Sequence, residues 1–164
     1  MTGEIQVVGG ALLDNLAKPT QLLVARRSAP EQLAGLWEFP GGKVEAGETP
    51  EAALARELVE ELGVSVELGT ELKAAHAHGW PLNDRASMRV YFGQISAGQP
   101  QPLEDHDELR WMPLSAPEAI LALPWIPADL PIVRALLATL GAVVGEGAGL
   151  GSHPSVANSK SGNC

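Results

Sequence analysis

The sequence predicts an α+β fold, and three observations lead there. Strand-like segments cluster around two helical ones, without the regular β–α alternation of a doubly wound sheet. Turn residues punctuate the chain between these segments. A length of 164 residues with 45% apolar content supplies one core of ordinary size.

The elements follow in order. Ile5 to Leu13 reads as a strand and Gln21 to Ala25 as its hairpin partner, across an Asp14–Thr20 turn that holds Asn15 and Pro19. Ser28 to Gly35 is a loop around Pro30. Trp37-Glu38-Phe39 alternates briefly before Pro40-Gly41-Gly42 breaks the chain. The best-signposted helix comes next. Thr49 is a good N-cap, Pro50 suits the first helical position, and Glu51 complements the positive helix end. Ala52 to Leu62 are mostly strong helix formers, and Gly63 is placed for the C-cap. Val64–His78 and Ser87–Ser96 read as strands joined by a Gly79–Arg85 turn, and Leu109–Met112 as a short strand. Ala116–Leu121 is a short helix and Ala128–Leu140 a second amphipathic one. From Gly141 onward Gly and Ser dominate, so the reading is a folded domain over 1–140 and a flexible tail over 141–164.

Charge narrows the function. The net charge is −9 and no basic stripe is visible, which argues against binding a nucleic-acid polymer. A nucleotide substrate stays open, provided that a metal neutralises its phosphates. The one cysteine, Cys164, cannot form an internal disulfide, so a reducing compartment is expected. Met1 to Glu4 has neither the basic nor the apolar region of a signal peptide. The longest apolar-rich stretch, Ala135–Val144, falls short of the roughly 20 residues that span a bilayer. A cytoplasmic protein without membrane contact is the expectation, as monomer or homodimer.

The chemistry concentrates on the Ala52–Leu62 helix. Leu54, Leu58 and Leu62 form one stripe by their i, i+4 spacing, and Glu57, Glu60 and Glu61 share an adjoining face. Like charges at this spacing repel by a few tenths of a kcal/mol per pair. By itself such a helix reads as a solvated acidic face, with Arg56 relieving Glu60 at i+4. Two features favour a bound hard cation, Mg²⁺ or Mn²⁺, with oxygen ligands. The carboxylates border a buried stripe, and a Gly-Gly turn precedes the helix at fixed distance. Glycine lets that backbone approach a ligand closely.

These segments together resemble a known family. Gly42, five residues, Glu48, seven residues, Arg56-Glu57-Leu58, one residue, Glu60-Glu61, one residue and Gly63-Val64 match the Nudix signature at all nine defined positions. The run from Gly35 to Thr49 is similar to the MutT branch, which hydrolyses nucleoside triphosphates. Looser similarity extends from Glu4 to Leu140.

The resemblance implies an α/β/α sandwich, with a mixed sheet between helices. It implies that Glu57, Glu60, Glu61 and the Gly41 carbonyl hold divalent ions, with Asp105, neighboured by Glu104, as a loop ligand. Arg56 would hold Glu57, Glu48 would support the loop, and Glu57 would serve as base for the attacking water, with Arg56 and Glu60 beside it. Arg27 and Lys43 would meet phosphates. Glu38, Phe39, Pro40 and Gly41 would border the substrate, and Asp129 would read the base. Ionised Asp129 would accept the amino group of cytosine, whereas Asn is typical for 8-oxo-guanine; as a helix N-cap, Asp129 would have no such role. The implied reaction is Mg²⁺-dependent cleavage of 8-oxo-dGTP, or of CTP, dCTP and 5-methyl-dCTP, to the monophosphate and pyrophosphate. Alternatives are another nucleoside diphosphate derivative such as ADP-ribose, or a binding module without catalysis. His76, His78, His106 and His153 form no spacing that suggests a metal site.

Overall fold

The structure is a computed structural model and describes residues 4–146. Eight strands form one sheet: β1 (Ile5–Leu13), β2 (Gln21–Arg27), β3 (Trp37–Glu38), β4 (Gly41–Lys43), β5 (Ser65–Leu72), β6 (Trp80–Pro81), β7 (Ala86–Ala97) and β8 (His106–Pro113). The helices are α1 (Pro50–Leu62), α2 (Pro117–Leu121) and α3 (Leu130–Glu146), with a 3₁₀ turn at Pro127–Asp129.

The sheet is mixed, as expected, but its central pairing is not the predicted hairpin. β1 and β2 pair antiparallel only at Leu12↔Leu23 and Leu13↔Leu22. Along its whole length β1 instead lies parallel to β7, from Ile5↔Ala86 to Leu13↔Gln94. β5 and β6 extend the sheet beyond β7, and β8 runs antiparallel to β2. The Pro40–Lys43 break is itself a strand, β4, antiparallel to β1 through Val7↔Lys43, Val8↔Gly42 and Gly9↔Gly41.

Alternation along the strands feeds two apolar layers. Val8, Leu12, Leu23 and Tyr91 point to one face, where Ala53, Leu54, Leu58 and Leu62 of α1 cover them. Ala11, Leu13, Leu22, Val24 and Phe92 point to the other, under Ile120 of α2 and Ile132, Val133, Leu136 and Leu140 of α3. Each fully buried leucine is worth about 1.5–3 kcal/mol against exposure, so the predicted stripe on α1 fixes which of its faces is left for chemistry. Helices on both faces give the α/β/α layering that the resemblance implied.

Several boundaries differ from the prediction, among them that of β8, which starts at His106 rather than Leu109. β5 ends at Leu72 rather than His78, because the chain turns away through residues 73–79. The last helix starts at Leu130 after the 3₁₀ turn, and it passes Gly141 to Glu146. Thus 141–146 is helical rather than the start of a loose tail, since extending a nucleated helix costs far less than starting one. The remainder of the predicted tail, 147–164, lies outside the described residues.

Candidate active site

α1 is built as its sequence suggests. Thr49 accepts the Ala52 N–H at 3.1 Å and Gly63 closes the helix at φ 72°. The apolar stripe is anchored on the sheet, so the Glu57/Glu61 side of the helix is turned toward β4. Glu61 Oε1 accepts the Gly41 N–H at 3.1 Å. The Glu57 carboxyl lies so close beneath Gly42 that a Cβ there would overlap it, which explains the glycine.

Arg56 organises the acids around it. Its Nε donates to Glu48 Oε2 at 2.7 Å, Nη1 to Glu57 Oε2 at 3.2 Å, and Nη2 to the Lys43 carbonyl at 3.1 Å. Glu60 Oε1 stands 3.5 Å from Nη1. The Arg56 hydrogen bond pulls Glu48 down to about 2. Burial has the opposite effect on the two acids nearest the turn. It pushes Glu61 to about 7, helped by the charges of Glu38 and Glu57 and opposed by His106. Glu57 is also raised, first by burial and then by Glu60 and Glu104, with Arg56 opposing.

These shifts test whether the residues suit a divalent ion. The protein alone does not supply enough positive charge for Glu57 and Glu61, and a hard cation under the Gly41–Gly42 turn makes up the deficit. The donor set fits. The predicted cage is nevertheless not closed: among the described residues no three acidic or imidazole groups converge at ion-holding distance. Glu60 faces solvent with its side chain 45% exposed. Arg56 stands between Glu48, Glu57 and Glu60 and pairs with each of them.

Asp105, expected as the loop ligand, has a side chain 63% exposed that lies 3.5 Å from Arg27 Nη2. Its neighbour Glu104 takes a positive φ of 54°, and Glu104 contributes to raising Glu57. Arg27, expected to meet phosphates, is held in this structure by Glu38 at 3.1 Å, the Ala29 carbonyl at 2.8 Å and Asp105, and its side chain is half-buried. Lys43 is exposed beside the turn, as such a contact requires.

The base-side wall lies one residue before the turn. The Phe39 ring meets Trp125 at 5.5 Å between centroids. Pro40 lends its carbonyl to Gly10 N–H at 2.8 Å. Asp129, 5% exposed, accepts the Phe39 N–H on Oδ2 at 3.3 Å. It therefore ties two distant segments and does not cap its own helix. Burial, with a contribution from Glu38, lifts Asp129 to about 7. Burial thus disfavours the charge on which the sequence argument for cytosine relied.

One residue to which the sequence assigned no role lies at the site. His106 is buried, and its Nε2 lies 2.7 Å from Glu38 Oε2. Burial works against its protonation, but the Glu38 bond and the charge of Glu61 outweigh it and raise its pKa. A histidine opening a strand carries no local sequence signal. A cavity of about 410 Å³ lies elsewhere, between Pro19, Leu114, Pro117, Leu137 and Leu140. It has no titratable group and takes no part in this site.

With this geometry in hand, the comparisons with known proteins agree. The NUDIX domain family matches residues 6–136. A putative 8-oxo-dGTP diphosphatase 2 of Mycobacterium tuberculosis is 41% identical over 136 residues, which cover 82% of this chain and 89% of the relative. The CTP pyrophosphohydrolase of Escherichia coli is 35% identical over 72% of this chain and 83% of its own. Among solved structures, the E. coli ORF135 protein superposes with a TM-score of 0.66 at 33% identity, over 86% of this chain and 94% of that one. The chain belongs to the Nudix family and is a hydrolase. Nudix hydrolases generally use divalent metal ions. Among the described residues no helix is long and apolar enough to cross a membrane.

Proposed function

We propose that this Nudix hydrolase cleaves nucleoside triphosphates to the monophosphate and pyrophosphate with Mg²⁺, acting on 8-oxo-dGTP, on cytidine triphosphates, or on both. The observation that carries the reading is the α1 carboxylate group packed under the Gly41–Gly42 turn, next to the Phe39–Trp125–Asp129 wall. A triphosphate laid across the turn meets acids suited to metal at one end and an aromatic wall at the other. The names of the two relatives above support both candidate bases.

Glu57, Glu61, Glu60, Asp105 with Glu104 beside it, and the Gly41 carbonyl would hold Mg²⁺, which when bound neutralises the phosphates and acidifies a water. The chain's own groups supply the rest. Glu57 sits where it can take the proton of an attacking water, while Arg56 fixes its orientation. Lys43 offers a phosphate contact, and Phe39 packs against the base. Asp129 keeps Oδ2 for Phe39 and presents its other oxygen. With its titration near neutrality, that oxygen accepts from the cytosine amino group when ionised and donates to the O6 of an oxidised guanine when protonated.

Pyrophosphate release in Mg²⁺ with 8-oxo-dGTP, dCTP, CTP and 5-methyl-dCTP tests the reading, each compared by kcat/KM. Glu57→Gln is expected to lower kcat by about 10²–10⁴-fold, and a variant that turns over at the parental rate refutes the assigned chemistry. ADP-ribose split to AMP and ribose phosphate, without triphosphate cleavage, would move the enzyme to another Nudix substrate class.

A further inference from the structure

The loop that carries Glu104 is tied to three other elements. Gln101 and Leu103 donate their N–H groups to the Leu62 and Glu61 carbonyls at the end of α1, each at 3.0 Å. Ser28 N–H donates to the Asp105 carbonyl at 2.7 Å. Two further ties are side chains: Arg27 Nη2 lies 3.5 Å from Asp105 Oδ2, and His106 Nε2 donates to Glu38 Oε2 at 2.7 Å, since a carboxylate only accepts. The loop bends through Glu104 at positive φ, a conformation that persists only where its surroundings enforce it.

His106 is a poor choice for this place if packing were its whole purpose. Its side chain is fully buried, and Nδ1 finds no hydrogen-bond partner in the protein. A leucine would fill similar space without an orphaned polar atom. Arg27 already pairs with Glu38 at 3.1 Å, so that carboxylate does not depend on the imidazole for its charge balance. What the imidazole adds is direction. It joins the start of β8 to β3, and the residues that follow β3 are the Phe39 wall and the Gly41–Gly42 turn over Glu57 and Glu61.

We propose that His106 is a positioning residue, whose bond to Glu38 locks the Glu104–Asp105 loop to the Trp37–Gly42 segment and so holds that loop, bonded through the Leu103 N–H to the Glu61 carbonyl, beside the acids of α1. The role rests on the metal-dependent reading above. It places a contact two side chains away from the reacting atoms in control of the geometry of the metal-binding acids.

The test compares the full-length parent with His106→Leu and His106→Gln. Mn²⁺ binding is followed by the electron paramagnetic resonance of the free ion, without nucleotide. His106→Leu should weaken Mn²⁺ binding about 10-fold and lower kcat in parallel, while KM stays within about two-fold and the metal-free thermal midpoint does not fall. His106→Gln, whose Nε2 reaches the place of the imidazole Nε2, should recover most of the affinity. Parental Mn²⁺ binding in the leucine variant overturns the proposal, as does a glutamine variant no better than leucine. Should the leucine protein fail to fold, His106→Asn replaces it with the same outcomes, because its shorter amide does not reach Glu38. A parent that binds Mn²⁺ but cleaves no triphosphate would sink the proposed function, and the Mn²⁺ comparison would still decide the role of His106.

Discussion

At the scale of single residues, Asp129 gives the clearest pH dependence. Its pKa rises from 3.8 to about 7 on folding, mainly through burial. The unfolded chain loses this proton near pH 3.8 and the native chain near 7. Between those values the native state binds more protons, so stability falls as pH rises, by about 1.4 kcal/mol per unit for a fully expressed shift. Asp129→Asn removes the ionisation and keeps an oxygen for the Phe39 N–H. The variant should therefore gain in thermal midpoint over the parent, and the gain should grow from pH 5 to pH 8 in metal-free buffer. A constant difference across that range would show that the Asp129 carboxyl is not driven toward its neutral form by burial.

At the scale of elements, the contact between α1 and β4 carries the chemistry, and Gly42 is where they nearly touch. A Cβ at Gly42 would overlap the Glu57 carboxyl. That group is the end of a flexible side chain, so the fold tolerates the change by moving Glu57 aside. Gly42→Ala should thus cost on the order of 10-fold in Mg²⁺ affinity or kcat, with a thermal midpoint near that of the parent. A large loss of stability instead would mean that backbone, not Glu57, takes up the strain. The anchoring of α1 is a separate matter: Leu58→Ala, fully buried against the sheet, should cost about 2–5 kcal/mol, read by urea unfolding.

At the scale of the whole molecule, the excess of acids matters most. The chain has 20 acidic and 11 basic residues, a net charge of −9, and burial has already raised Glu57 and Glu61. A divalent ion that binds only the native state stabilises it by about 2.7 kcal/mol at a hundred-fold excess over its Kd, or about 5–10 °C for a domain of this size. Raising Mg²⁺ should lift the thermal midpoint in that way, and NaCl at equal ionic strength should not. Equal shifts from both salts would reduce the effect to general screening.

The sequence by itself determined the parts governed by local rules. Thr49, Pro50 and Gly63 set the ends of α1, and the 3.6-residue period placed Leu54, Leu58 and Leu62 on one side with the glutamates beside them. The Gly41–Gly42 turn was equally visible, because close backbone approach requires residues without a Cβ. Only the tertiary structure decided the parallel pairing of β1 with β7, since a strand does not encode which distant edge it will meet. It also tied Arg27 to Glu38 and Asp105, buried Asp129 and seated His106 on Glu38. Each of these depends on the dielectric and on partners brought from far along the chain, and those exist only after the layers have closed.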